Sequence, residues 1–190
     1  YAASAPIQIP RGISGDYQWF LETDSGKQVN EPGTENNNLA LSPVVAISLT
    51  PFADLQVSDV GSTDQRPVSG QPWTISWKVT NAGTGITNDG TPSGTVDQWT
   101  DRVVLSRDTV FGNDDDLLLA DIAHQGTLAA GANYLGQWDG NLPARISGSY
   151  YMLVNTDQRA GFGAVYEFRF EDNNVSEARP IQVLGADLVA

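Results

Sequence analysis

Trp73-Thr74-Ile75-Ser76-Trp77-Lys78-Val79-Thr80 alternates apolar and polar side chains without a break. Successive side chains of an extended chain point to opposite faces. Trp73, Ile75, Trp77 and Val79 therefore share one side, and Thr74, Ser76, Lys78 and Thr80 the other, the pattern of a half-buried strand. Asn81-Ala82-Gly83-Thr84-Gly85 ends the run with turn-forming residues. Outward from this strand, Arg102–Ser106, Leu117–Ile122, Ala132–Trp138, Tyr150–Asn155 and Pro180–Leu184 read as further strands, and Leu55–Val60 as the opening one. Gly, Asn, Asp and Pro separate them, and helical periodicity is nearly absent. About seven short strands with these breaks predict an all-β chain, an immunoglobulin/fibronectin-III-like antiparallel β-sandwich.

Ser147-Gly148-Ser149-Tyr150-Tyr151-Met152 has the form of a tyrosine corner. In such a corner a small residue lets the chain turn and the Tyr hydroxyl bonds back to upstream backbone. Met152 then takes the inward position at which antibody domains carry a cysteine. The same corner occurs earlier as Ser14-Gly15-Asp16-Tyr17-Gln18-Trp19, which puts Trp19 inward as well. The likeness continues: Thr23-Asp24 returns as Thr156-Asp157, Val29-Asn30-Glu31 as Val165-Tyr166-Glu167, and Glu35-Asn36-Asn37-Asn38 as Glu171-Asp172-Asn173-Asn174. Ala53-Asp54-Leu55 returns as Ala186-Asp187-Leu188. Ile13 before the earlier corner matches Ile146 before the later one, and the offset is 133 residues at this first match (146 − 13) and at the last (186 − 53). A fixed period defines the folding unit and marks a tandem repeat. The expected organisation is the C-terminal part of a preceding sandwich at 1–52, a complete sandwich at 53–185, and the first strand of a following one at 186–190.

Composition narrows the function. Five Trp, six Tyr and six Phe among 190 residues supply material for a core. Cysteine is absent, which removes zinc ribbons, iron–sulfur clusters and thiol catalysis and leans towards a bacterial or archaeal surface protein. A formal net charge of −13, with Lys27 and Lys78 as the two lysines, repels phosphate backbones and anionic lipid, so nucleic acid is not an expected partner. No apolar run has the length of a membrane span, and no membrane insertion is expected. The start at Tyr1, without Met or signal peptide, reads as a processed or excised piece.

Five stretches in order resemble a known family. They are Ala53-Asp54-Leu55-Gln56-Val57-Ser58; Gly70-Gln71-Pro72 ahead of Trp77-Lys78-Val79-Thr80-Asn81-Ala82-Gly83; Trp99-Thr100-Asp101-Arg102-Val103-Val104-Leu105-Ser106-Arg107-Asp108; Gly148-Ser149-Tyr150-Tyr151; and Glu171-Asp172-Asn173-Asn174. Together they resemble the CARDB domain, a cell-adhesion-related repeat of bacteria and archaea. The resemblance covers the central unit and, more weakly, residues 7–50. It implies an immunoglobulin-like sandwich, in tandem on large secreted or surface-attached proteins, without catalysis.

Two acidic clusters are candidate metal sites. Asp108 and Asn113-Asp114-Asp115-Asp116 place carboxylates and an amide in one loop, with Asp101 and Asp121 nearby. Calcium takes about six to eight hard oxygen ligands, and such a loop offers part of that shell. The other reading is a solvated acidic hairpin, since the EF-hand spacing is missing. The second cluster is Asp157, Glu167, Glu171, Asp172, Asn173 and Asn174, with Asp157, Glu167 and Asp172 as its metal candidates. Here the competing reading is turn capping by Asn and Asp. Ca2+ is the expected ion in either place.

The sole histidine, His124, has no Cys or second His beside it and no nucleophile elbow, so no catalytic role is assigned to it. No carboxylate pair is singled out for glycoside hydrolysis. Trp99 and Trp138 are less clearly inward than Trp73 and Trp77, and suggest the alternative of a carbohydrate-binding module that stacks sugars on exposed rings. The primary expectation is a non-enzymatic extracellular adhesion or spacer repeat. Its expected partners are neighbouring repeats or copies of itself joined by strand addition, and a glycan or cell-surface protein.

Overall fold

The computed structural model describes residues 2–33, 36–91, 93–158 and 165–185. These form eleven strands and no helix. Among the described residues no helix is long and apolar enough to cross a membrane. The chain divides into two compact units, Tyr1–Thr50 and Pro51–Ala190; the strand expected at 186–190 lies outside the described residues.

The first unit is one interrupted hairpin. β1 (Gly15–Tyr17) pairs antiparallel with β4 (Val45–Ile47), and β2 (Phe20–Glu22) with β3 (Leu39–Leu41). Between the two pairings, the Trp19 amide donates to Ser42 Oγ at 2.8 Å and the Ser42 amide to the Trp19 carbonyl at 3.0 Å. Trp19, expected inward, is half-buried, and Phe20, Leu21, Leu39 and Leu41 are exposed.

The second unit holds β5 (Leu55–Ser62), β6 (Pro72–Asn81), β7 (Gln98–Ser106), β8 (Leu117–Gln125), β9 (Asn133–Asn141), β10 (Gly148–Asn155) and β11 (Arg179–Val183). Each expected strand of this unit is present, and most are longer than the apolar pattern alone marks. Two sheets form, ordered β5-β6-β9 and β11-β10-β7-β8, and every strand pairing is antiparallel. β8 continues the β7 sheet, so the sandwich is built of three strands facing four.

The alternation of β6 governs the packing. Trp73, Ile75, Trp77 and Val79 are buried in one core with Leu55, Val103, Leu105, Tyr150, Met152, Val154, Ile181 and Val183. Met152 is fully buried, as its inward position requires. β9 carries glycines where it passes the indoles: a Cβ on Gly136 would fall 2.1 Å from the Trp77 ring, and one on Gly140 2.3 Å from the Trp138 ring. The turn into β10 differs from the expected corner in its fastening. The Arg107 guanidinium lies 3.7 Å from the Tyr150 ring centroid and donates to the Ser149 carbonyl at 3.1 Å and to the Ser147 carbonyl at 3.3 Å. A cation over the tyrosine face, with hydrogen bonds from that cation, secures this turn.

The long connection from β6 to β7 is pinned from inside. Buried Thr87 donates its hydroxyl to the Val96 carbonyl at 2.7 Å and accepts the Leu128 amide at 3.0 Å. Its first turn clasps the start of the unit: the Ala82 amide donates to the Asp54 carbonyl, and the Thr84 and Gly85 amides both donate to the Phe52 carbonyl. Gly83 and Gly85 allow that approach, since a Cβ on either would come within 2.3 to 2.7 Å of the Pro51–Ala53 backbone.

Candidate metal centre beside the first strand of the sandwich

β10 and β11 are joined by a loop with a narrow neck. The Thr156 amide donates to the Asn174 carbonyl at 3.0 Å and the Ser176 amide to the Val154 carbonyl at 2.8 Å. Asp157 leaves the neck with a left-handed φ of 49°, a conformation that Asp tolerates better than most residues. On the returning side, Glu167-Phe168-Arg169-Phe170 makes a turn closed by the Phe170 amide on the Glu167 carbonyl at 2.9 Å. That turn folds Glu171 back, and its carboxylate accepts the Glu167 amide at 3.2 Å.

The result is a cluster of three carboxylates. Asp157, Glu167 and Glu171 each offer one oxygen, and these oxygens lie within 4.8 Å of one another. Asp157 and Glu167 are buried and Glu171 is exposed. Glu167 also reaches strand β5, where its Oε1 accepts the backbone N–H of Leu55. Its Oε2 accepts from the Asn174 side-chain amide at 2.5 Å. Burial pushes the Glu167 carboxyl up to about 8; the donors Leu55 and Asn174 oppose that shift, and the charges of Asp157 and Glu171 add to it. Two amide oxygens complete the picture: Asn173 Oδ1 and Asn174 Oδ1 are buried and have no hydrogen-bond partner. Asn174 as a whole is 5% exposed. Buried carbonyl oxygens are ordinarily satisfied, so the orphaned oxygen of Asn174, whose amide is bonded to Glu167, calls for an electrophile.

All of these donors are oxygens. Such a set suits a hard divalent cation such as calcium, and offers nothing to the softer metals that prefer imidazole or thiolate. A cation here would neutralise the mutual repulsion of the three acids. It would also lie against the opening of the unit, because Asn173 donates to Asp54 Oδ1 at 3.0 Å and Phe52 packs on Phe168 and Phe170 with ring centroids 5.3 and 5.8 Å apart.

The structure brings together Asp157 and Glu167 from the second sequence cluster, but joins them with Glu171; Asp172 is exposed and stands outside the group. The turn at 167–170 decides this, since it returns residue 171 to residue 167. The first sequence cluster folds differently. Asp108 Oδ1 accepts the Val110 amide at 2.7 Å, and both its oxygens accept from the Asn113 side chain. Asp115 accepts the Arg107 amide at 2.9 Å, and Asp116 the Gly112 amide at 2.6 Å. Asn113 Oδ1 accepts the Asp115 amide, and Asp114 is exposed. Asp108, Asn113, Asp115 and Asp116 cap their own hairpin, with Asp116 Oδ1 buried and unpartnered, and among the described residues the carboxylate grouping found is that of Asp157, Glu167 and Glu171.

The two Trp candidates point into the protein. Trp99 is 6% exposed and donates its indole N–H to Tyr134 Oη at 3.0 Å. His124 stacks on both Trp99 and Tyr134, at 4.0 and 3.9 Å between ring centroids. Tyr134 in turn donates to Asp101, which also accepts the Trp77 indole N–H and the Thr156 hydroxyl, both at 2.7 Å. Burial raises the Asp101 carboxyl and lowers His124. Trp138 is half-buried and packs against the core. Buried Trp99 has no open face for sugar stacking. The Asp101 network was not legible in the sequence, where Asp101 reads as one more acid near a loop.

Comparison with protein-family models finds no match, and comparison with curated proteins finds none either. Solved structures do match. The CARDB domain of a Pyrococcus furiosus protein, crystallised in complex with di-metal ions, is 16% identical, with 70% of this chain and 90% of that one covered and a TM-score of 0.47. The solution structure of that CARDB domain is 18% identical over 71% of this chain and 98% of that one, with a TM-score of 0.46. A β-glucosidase from Erythrobacter marinus is 10% identical over 70% of this chain but 16% of its own, with a TM-score of 0.44. The chain is similar to each of these in fold.

Proposed function

We propose that this chain is a non-enzymatic, extracellular adhesion or spacer module, part of a tandem array of CARDB-like sandwiches, in which calcium fastens the loop before the last strand to the first strand. The observation that carries the cation is the meeting of Asp157, Glu167 and Glu171 with Asn174, whose buried side-chain oxygen has no hydrogen-bond partner. A fully buried glutamate held by neutral donors is costly unless a positive charge joins it. Asp157, Glu167, Glu171 and Asn174 would hold the ion. The array reading is supported by the period of 133 residues (146 − 13) and by the ordered CARDB-like stretches. An extracellular setting agrees with the lack of cysteine and the strong acidity, and with calcium, which is abundant outside cells.

Isothermal titration of the purified chain with Ca2+, repeated on Glu167→Gln and on Asp115→Asn, tests the site. Binding by the parent and by Asp115→Asn, with loss in Glu167→Gln, is the expected result. Binding that survives Glu167→Gln and disappears with Asp115→Asn moves the ion to the acidic hairpin and overturns the assignment.

A further inference from the structure

The hairpin of the first unit is paired as β10 and β11 are paired. Gly15↔Ile47, Asp16↔Ala46 and Tyr17↔Val45 become Gly148↔Val183, Ser149↔Gln182 and Tyr150↔Ile181 when 133 is added on the first strand and 136 on the second (148 − 15 and 183 − 47). The same offsets carry the Thr23 amide on the Asn38 carbonyl onto the Thr156 amide on the Asn174 carbonyl. Left-handed residues coincide too: Gly15 with Gly148, at φ 117° and 102°, and Asp24 with Asp157, at 48° and 49°.

Burial does not coincide. Tyr17, Phe20 and Leu21 are 39%, 71% and 66% exposed, whereas their counterparts Tyr150, Leu153 and Val154 are at most 3% exposed. What covers the inward face of β10–β11 is the opposite sheet, through Leu55, Trp73, Ile75, Trp77 and Val79. β10 also pairs along its other edge with β7, from Tyr151↔Ser106 to Asn155↔Arg102. By the offset of 133 the same edge of the hairpin is Gln18–Glu22, which would set Trp19 opposite a Leu105 and Glu22 opposite an Arg102. Both pairs are complementary, one apolar and one of opposite charge.

We propose that the hairpin face bearing Tyr17, Trp19, Leu21 and Val45 is a docking surface for the strands β5–β9 of a neighbouring repeat in the same polypeptide, which takes up the hairpin as its last two strands. The edge Gln18–Glu22 extends the β7 strand of that repeat, and the apolar face closes its core. This inference rests on the array reading and is independent of where the cation binds.

The test fuses a second copy of residues 53–145, which holds β5 to β9, ahead of Ile13 in place of residues 1–12, since the offset makes Ile13 the equivalent of Ile146 (146 − 13 = 133). Amide hydrogen exchange is then compared between the original and extended chains, each with and without Leu21→Asp. The expected result is that amides 18–22 exchange on the order of 100-fold more slowly in the extended chain, with a second cooperative unfolding transition. Leu21→Asp should restore fast exchange there and be silent in the original chain. Equal exchange in both chains, or Leu21→Asp silent in both, overturns the proposal. So does a protected hairpin in the original chain at twice the monomer mass, which would make a second chain the occupant. The calcium response and unfolding midpoint of residues 51–185 are read in the same samples. They report on the cation site separately from docking.

Discussion

The buried carboxylate of Glu167 accepts the backbone N–H of Leu55, 112 residues earlier in the chain. One side chain of the last loop thereby satisfies the first backbone donor of the first strand. Around it, Asn173 holds Asp54, and Phe168 and Phe170 hold Phe52. A buried acid at this junction makes the closure of the sandwich dependent on charge.

Glu167→Gln should act in opposite directions with and without calcium. The amide keeps an oxygen for the Leu55 N–H but carries no charge to desolvate. In EDTA at neutral pH the variant is expected to be more stable than the parent, by about 1–3 kcal/mol. In millimolar calcium the order should reverse, because only the parent gains from the ion. Urea unfolding in the two buffers checks this, and a variant less stable in both would point to a purely structural glutamate.

The pH dependence in EDTA follows from the same residue. The folded Glu167 carboxyl stands at about 8, above its ordinary 4.5, so the fold prefers the protonated form. Its contribution is complete below about 4.5 and is lost as pH rises through about 8. Stability of the parent should therefore fall across that window more steeply than stability of Glu167→Gln. Denaturant midpoints at intervals of pH measure the difference; parallel profiles would contradict the shift.

Asp101 is expected to be a structural residue of large effect. Trp77, Tyr134 and Thr156 all donate to it in the core. Asp101→Ala leaves those donors buried without an acceptor, a loss of about 3 kcal/mol or more. Calcium affinity, measured on the fraction that folds, should be unchanged. A drop in affinity equal to that of Glu167→Gln would place the ion elsewhere.

Gly83→Ala should destabilise by overlap rather than by strain. Its Cβ would sit 2.3 Å from the Phe52 carbonyl oxygen. Backbone must move to admit it, at about 1–3 kcal/mol. Gly126→Ala meets no neighbouring atom but needs a φ of 107°, a milder penalty of about 1–2 kcal/mol. Thermal unfolding of the two variants would rank them; an indifferent Gly83→Ala would mean that the 82–85 turn does not clasp Phe52 in solution.

Trp99→Ala should unfold the protein before it affects any sugar. The indole is buried against Tyr134 and His124. Truncation is expected to cost about 3–5 kcal/mol, seen as a lowered midpoint. Glycan binding lost at full stability would revive the carbohydrate reading.

By itself the sequence determined the strands, the two-sheet class and the recurrence of one hairpin. Those follow from local causes: alternation such as Trp73 to Thr80, turn residues between runs, and like side chains recurring at offsets of 133 and 136 (148 − 15 and 171 − 35). It also marked both acidic clusters, but could not rank them. Asp108, Asp115 and Asp116 have backbone amides of their own turn to accept, which ties up carboxylates close together in sequence. Glu167 gains its significance from Leu55, a strand that only the closed sandwich brings near, and from the turn that chooses Glu171 over Asp172. Trp99 and Asp101 illustrate the same limit: they are buried because their face of β7 packs on Trp77 of β6 and Tyr134 of β9 in the opposite sheet. Pattern decides which residues can form an element, since that depends on neighbours in the chain. Burial, and with it the energy of a charge, depends on neighbours in space.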